Sequence, residues 1–306
     1  MNAPVDVDSQ PGRAAPSAHR DVRPLWVIHG GPQADPLRRL LVSDTDAPYV
    51  AVSATSADDL TAADLPTFAR LLNHADAFIC ERLPRGYRGL PIGFDDLLKH
   101  LRPGIPIVTF PRVGYAGLHP FQVGRDPAAG LPDPPLVPYH DLRSVAAAEK
   151  TVPPEQARHT FPSAQVIREF AAWQLLRIRR EESHTDCAIA GSVRGAGLEA
   201  VHTVDRPGNT LLLRLARDIL AALGVDDTVV DPTTLLYGQY RSPVDPRIAE
   251  ALGTPEPDTD TWRVNGKELT LDEIRDAQIA WYRGHPEVAK AVVAAEAPRM
   301  DLLGLL

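Results

Sequence analysis

The sequence predicts an α/β fold, a mostly parallel sheet flanked by helices of the Rossmann-like or SGNH-like kind. Short apolar, β-branched runs alternate with amphipathic helical spacings through the first half, which is the pattern of parallel βαβ units. Several of those runs end in glycine-containing or polar loops, as strands do where a sheet opens onto a ligand. A chain of 306 residues can bury one large core and still carry an appendage.

In chain order, "LWVIHGG" predicts the first strand and "PLRRLLVS" a helix after it. "YVAVSA" is a second strand, and "LPTFARLLNHA" a helix with Phe68, Leu71 and Leu72 at core-facing spacing. "DAFICE" is the third strand, "FDDLLKHL" a helix, and "IPIVTF" the fourth strand. Residues 119–160 read mostly as loop, and so long a loop inside a compact domain predicts a lid over a site. Ser163 is an N-cap candidate for a long helix ending near "RIRREES", followed by a strand expectation at "CAIAGSV" and another at "AVHTV". "NTLLLRLARDILAALG" has Asn209 as N-cap candidate and Gly224 as C-cap candidate. The expected organisation is a disordered tail over 1–23, an α/β domain over 24–252 and a helical carboxyl-terminal extension over 253–306.

A net charge of −8 argues against a nucleic-acid surface, which needs a basic stripe. No apolar run reaches the roughly 18 residues of a membrane span, so no membrane insertion is expected. Cys80 and Cys187 lie in apolar runs and read as buried free thiols, in keeping with a cytoplasmic setting. The 30 prolines are about twice the usual share and cluster in "DPAAGLPDPPLVP" and "GTPEPDTD", as surface connections or lids.

Candidate chemistry gathers where strands end. "HGGPQ" places His29, Gly30, Gly31 and Gln33 between a strand and a helix, where backbone amides can meet an anion; a tight structural turn explains the same residues. "ERLPRGYRG" supplies Arg82, Arg85 and Arg88 beside Tyr87, a set that suits phosphates and an adenine ring, or else a solvated loop. "VTFPRVGYAGLHPFQ" brings Tyr115 and His119, whose imidazole is a candidate general base. "YHD" sets His140 next to Asp141, and "TVDRPGN" places Asp205 and Arg206 before a capped helix at what would be the same sheet edge. No G-x-S-x-G turn is present, and "GSVRG" offers Ser192 without that spacing, so direct transfer is simpler than a covalent acyl-enzyme. Neither H-E-x-x-H nor paired cysteines occur, and no metal is expected.

The ordered set "HGGPQADPLRRLL", "PRGYRG", "VTFPRVGYAGLHPF", "YHDL" and "HTVDRPGNTLLLRLARDIL" resembles the WcbI-type polysaccharide biosynthesis enzymes from about Leu25 to Leu252. Gly30 and Gln33 match the outer positions of that family's G-N-C-Q, with Gly31 and Pro32 in place of its asparagine and cysteine. His119 and Pro120 match its G-Y-H-P-D segment, where Leu118 and Phe121 replace tyrosine and aspartate. Thr203, Pro207 and Asn209 match T-P-N-H-P-T-N, with Asp205 and Arg206 at its asparagine and histidine places. The resemblance implies an α/β unit with an SGNH-hydrolase flavour that binds coenzyme A and transfers an acyl group to a sugar. The altered polar positions point to a diverged member, with a secondary metabolite among the candidate acceptors.

The expected function is therefore an acyltransferase with coenzyme A as co-substrate and a small-molecule acceptor; a homo-oligomer is among the arrangements the sequence allows. The "ERLPRGYRG" arginines and the "HGGPQ" backbone would hold phosphates, with Tyr115 and Asn209 beside them, and His119 would take the acceptor's proton. Arg206 or Gln33 would face the oxyanion, with His140 and Asp205 as further polar groups. An esterase using water as acceptor and a non-catalytic binding module are the alternatives.

Overall fold

The computed structural model describes residues 23–124, 130–226 and 229–306; apart from Arg23, the expected amino-terminal tail lies outside the described residues. β1 (Leu25–His29) is buried along nearly its whole length. α1 (Ala34–Leu41) follows and buries Leu37, Leu40 and Leu41, the i, i+3, i+4 stripe of a helix with one apolar face. β2 (Val50–Ser53) pairs with β1, and α2 (Leu65–His74) buries Phe68 and Leu72 while Leu71 packs at the same cluster's edge. β3 (Ala77–Glu81) is buried throughout, the short α3 (Phe94–Leu97) follows, and β4 (Ile107–Phe110) completes the sheet.

Among the described residues the main sheet has four strands in the order β2-β1-β3-β4, all parallel. The chain moves outward in one direction from β1 to β2, then crosses back to β3 and β4. The strand order thus reverses between β1 and β3, and the loops leaving their carboxyl ends diverge and open a crevice.

The span expected to be a lid is built differently. β5 (Gln122–Val123) pairs with β6 (His140–Asp141), and α4 (Leu142–Glu149) and α5 (Pro154–His159) follow. Asp141 caps α4 by accepting from the backbone N–H of Arg143 and Ser144, at 2.8 and 3.3 Å. Leu142, Val145, Ala146 and Ala147 are then buried in a cluster with Val288, Val292 and Met300 from the chain's end. A short, alanine-rich helix has little helical pattern of its own, and tertiary burial decides its fate.

α6 (Ala164–Glu182) begins at Ser163, whose hydroxyl accepts from the Val166 amide. The expected strand at "CAIAGSV" is instead the start of α7 (Ala190–Ala196). The Glu182 carboxylate reaches from the end of α6 to accept from the amides of Ile189 and Ala190, at 2.8 and 2.9 Å, which supplies the helix start that no local residue signals. β7 (Val201–Thr203) is a strand as expected, but it pairs antiparallel with β8 (Arg206–Pro207) outside the main sheet. α8 (Asn209–Ala222) packs on α1; its N-cap is Gly208, and Asn209 is its first residue. The left-handed residue that ends it is Gly224, one beyond the cap at Leu223.

β9 (Tyr240–Arg241) and α9 (Pro246–Leu252) precede a hairpin of β10 (Trp262–Val264) and β11 (Lys267–Leu269), which β9 extends to a three-stranded sheet. α10 (Leu271–Gly284) and α11 (Pro286–Leu302) close the chain and cover α4. Residues 253–306 therefore hold a β-hairpin and two helices, with β9 pairing onto the hairpin.

Candidate functional site

The crevice between β1 and β3 is organised by Glu81, the last residue of β3, whose side chain is almost wholly buried. One carboxylate oxygen accepts from the Gly31 amide at 2.9 Å and the other from Nε of Arg112 at 2.5 Å. Arg112 lies just beyond β4, and its Nη2 donates to Asp58 at 3.2 Å and to the Tyr87 hydroxyl at 3.4 Å. Tyr87 in turn donates to Asp58 at 2.7 Å. The glycines are required by this network: a β-carbon would lie 2.9 Å from Glu81 Cβ at Gly30, and 2.5 Å from Arg112 Nη2 at Gly31. Gln33 ties the same loops from the other side, donating to the Pro111 carbonyl at 2.8 Å and accepting from the Val113 amide at 3.1 Å.

The turn between β7 and β8 adds Asp205 and Arg206. Arg206 Nε donates to the Tyr139 hydroxyl at 2.7 Å, and that hydroxyl donates to Asp205 at 2.9 Å. The guanidinium lies over the rings of Tyr237 and Tyr240, at 5.1 and 4.9 Å, an aromatic setting that favours a cation. Its terminal nitrogens make no hydrogen bond among the described residues. Together Gln33, Asp58, Glu81, Arg112, Asp205, Arg206, Tyr139 and Tyr237 enclose a cavity of about 110 Å³. Burial works against the charge on Arg112, but Glu81 and Asp58 more than offset it and hold the guanidinium above its ordinary value. Arg206 is likewise raised, with Tyr139 and Asp205 outweighing burial. Burial, followed by the Asp58 hydrogen bond, pushes Tyr87 up to about 12. The cavity therefore presents two permanent cations beside the carboxyl groups of Asp58, Glu81 and Asp205, with the un-ionised phenol of Tyr87 in the network behind it.

Tyr139 also forms part of a second cavity of about 120 Å³, under α9 and α10, lined by His119, His140, Arg143, Arg275, Gln278 and Trp262 among others. Gln278 pins it by donating to the Tyr139 carbonyl at 2.8 Å and accepting from the Asp141 amide at 3.1 Å. His119 is buried and hydrogen-bonded to the Val201 backbone, while its Nε2 has no partner. Burial lowers it to about 4, so its ring is neutral at pH 7 and the bare nitrogen is an acceptor. His140 is bonded through Nδ1 to the Tyr282 hydroxyl at 2.6 Å, and burial lowers its pKa as well.

The residues named from sequence thus fall into groups. Gln33, Asp205 and Arg206 line the first cavity, with Gly30, Gly31 and Tyr87 in its supporting network. His119 and His140 line the second. The others lie elsewhere. His29 points into the core beside Phe68 and bonds the Ile92 carbonyl at 3.2 Å; burial lowers it to about 4. Arg82 reaches the His184 carbonyl over the Phe94 ring, Arg85 pairs with Asp96, and Arg88 donates to the carbonyls of Ala57 and Leu60. Tyr115 is buried against α6 and α7, and Asn209 fastens the 234–236 segment through Thr234 and Leu236.

Sequence reasoning passed over Arg112, Glu81, Asp58, Tyr139 and Tyr237. A usable signal existed for Glu81 and Arg112, since each stands at or just past the carboxyl end of a predicted strand. Cys80 and Cys187 are free and buried, and burial pushes Cys187 up to about 12. Among the described residues no group of three or more His, Cys, Asp or Glu is placed to hold a metal ion, and no helix is long and apolar enough to cross a membrane.

A solved structure of WcbI, described as a novel polysaccharide biosynthesis enzyme in native form without a disulfide bond between coenzyme A and one of its cysteines, matches with a TM-score of 0.77 at 16% identity. The match covers 92% of this chain and 99% of that one; at such low identity it speaks to the fold. A search of curated proteins finds no match. The family model of the polysaccharide biosynthesis enzyme WcbI matches residues 25–228, a span that includes every residue lining the first cavity except Tyr237. With that much of the chain matched, this protein belongs to the WcbI family of polysaccharide biosynthesis enzymes.

Proposed function

We propose that the protein transfers an acyl group from coenzyme A to a hydroxyl or amine of a sugar-like or secondary-metabolite acceptor. The observation that carries this reading is the pairing of Arg112 and Arg206 on one cavity at the strand-order reversal, where α/β sheets bind their ligands. Unengaged guanidinium nitrogens on both residues suit the phosphates or the thioester oxygen of an acyl-coenzyme A. A coenzyme A-associated relative of the same fold supports the choice of anion.

In this reading the acceptor's oxygen or nitrogen bonds to the thioester carbon while its proton passes to Nε2 of His119. The C–S bond then breaks and the thiol departs. Arg206 stabilises the charge that builds on the carbonyl oxygen, and Tyr139 fixes the guanidinium for that task. Gln33 has both ends of its amide engaged with the backbone, so its part is to shape the pocket. A pKa of about 4 keeps His119 deprotonated, and an anionic ligand bound nearby raises it toward the range where a base works best. Pro32 stands at the turn after β1, and both thiols are buried, so direct transfer needs no cysteine.

The test is calorimetry with coenzyme A, followed by thiol release from acetyl-coenzyme A with and without sugar acceptors. Binding that weakens in Arg206→Ala, with release that depends on the acceptor, is expected. No heat on titration overturns the reading, and release indifferent to acceptor assigns a hydrolase instead.

A further inference from the structure

The second cavity, unlike the first, is lined by arginines with buried guanidinium nitrogens that have no hydrogen-bond partner, Nε of Arg143 and Nε of Arg275. Arg275 on α10 is mostly buried, with its side chain 12% exposed, yet it makes no hydrogen bond among the described residues. Its ion pair with Asp272, a neighbour on its own helix, is 3.8 Å long. Arg143, on α4, has an unpartnered buried Nε and a 3.4 Å side-chain contact to Asp141, and its guanidinium lies over the Phe121 ring. His119 adds its bare Nε2.

Three aspartates line the same space; Asp260 is exposed, and the other two are already engaged. Asp141 caps α4, and Asp245 caps α9 and holds Arg247 through both oxygens. Burial lowers the pKa of Arg275 and the nearby charge of Arg143 lowers it further, and Asp141 and Asp272 offset this only in part. A buried guanidinium nitrogen without a hydrogen-bond partner is a costly feature, and a water, an ion or a ligand can satisfy it.

We propose that this cavity binds the carboxylate of an acidic sugar of the uronate class, held in the forks of Arg143 and Arg275 with the ring against Phe121 and Trp262. The proposal builds on the transferase reading, because it makes this sugar the acceptor and places it beside His119. The planar fork of arginine matches a carboxylate. A monoanion also meets less repulsion from Asp141 and Asp245 than a phosphate dianion does. Arg275, Gln278 and Trp262 lie beyond the span that the family model covers, so the acceptor's recognition would come from the carboxyl-terminal extension.

The experiment is calorimetry on the full chain with glucuronate, glucose and inorganic phosphate, and separately with coenzyme A. Glucuronate should bind about tenfold or more tightly than glucose, and Arg275→Gln should lose about tenfold to a hundredfold of glucuronate affinity. Its coenzyme A titration should match the wild type, with circular dichroism confirming the fold. Equal binding of glucose and glucuronate, binding of neither, preference for phosphate, or an unchanged affinity in Arg275→Gln would each overturn the proposal. If the variant does not fold, the comparison of sugars on the wild-type chain decides alone. Glucuronate binding without any coenzyme A binding sinks the transferase reading and leaves this pocket standing; the reverse result sinks the pocket only.

Discussion

Arg112 and Arg275 both sit at the wall of a cavity, and they differ in what surrounds them. Arg112 is tied to Glu81, Asp58 and Tyr87, while Arg275 has one long contact with an exposed aspartate. The first arrangement is largely satisfied without a ligand: Nε and Nη2 of Arg112 join Glu81, Asp58 and Tyr87, and Nη1 alone is left over. The second is far less so. The difference separates charge that mainly joins loops from charge with little to hold it, and a list of arginines in a sequence does not make that distinction.

The same contrast holds between two histidines, and it gives the largest expected effect. His29 lies in the core against Phe68, and His119 lies at the second cavity; burial lowers both to about 4. An unfolded chain binds protons at these positions near pH 6.5 whereas the folded chain does not until about 4, so stability is full above the unfolded value and is lost as pH falls through this window. Each group then contributes a loss of about 3 kcal/mol by the bottom of the window. Urea unfolding at successive pH values measures it, and a flat profile there refutes the burial argument. The two are told apart by adding glucuronate: it should shrink the share that His119→Gln removes and leave the share that His29→Gln removes unchanged.

Breaking the completed network comes next. Glu81→Ala strands the Gly31 amide and takes the main partner from Arg112, with an expected loss of about 2 kcal/mol, below the usual figure for a fully buried pair because Arg112 is partly exposed. Asp272→Ala, which removes the exposed partner of Arg275, should change stability by less than about 0.5 kcal/mol. Equal losses in thermal unfolding would erase the distinction between the two clusters. Gly31→Ala should fall between them, at about 1 kcal/mol, because its new methyl group meets the Arg112 guanidinium and that side chain has to give way.

Much of the parallel core was legible because each strand is a short β-branched run followed by an amphipathic helix, a pattern that local residues define. The rim that carries Gln33 could be read for the same reason, since polar residues just after such runs lie at the carboxyl edge; Arg206, expected at that same edge, instead reaches the cavity from β8, outside the parallel sheet. Arg112 was hidden in plain view, two residues past β4 in a stretch already under scrutiny, because its partners Glu81 and Asp58 are 31 and 54 residues away. Conversely, the arginines of "ERLPRGYRG" look like a phosphate grip on paper. The left-handed turn there, at Gly86 and Arg88 with φ of 67° and 55°, sends Arg85 to Asp96 and Arg88 to main-chain carbonyls. The second cavity was illegible for a different reason, since its walls come from segments more than a hundred residues apart and depend on α10 packing over α4.

An expected effect of small size bears most directly on the comparison. Replacing Arg275 by methionine keeps the aliphatic stem and removes a buried cation that has little compensation, so stability should hold or rise by about 1 kcal/mol. The equivalent Arg112→Met leaves Glu81 buried without its cation and should destabilise. A guanidinium held by buried carboxylates and one with little compensation thus give opposite signs for one chemical change, which thermal unfolding of the two variants would register as shifts in opposite directions. A residue that lowers stability where it stands is retained for something other than folding, and Arg275 satisfies that description only if the sign of its methionine variant comes out positive or neutral.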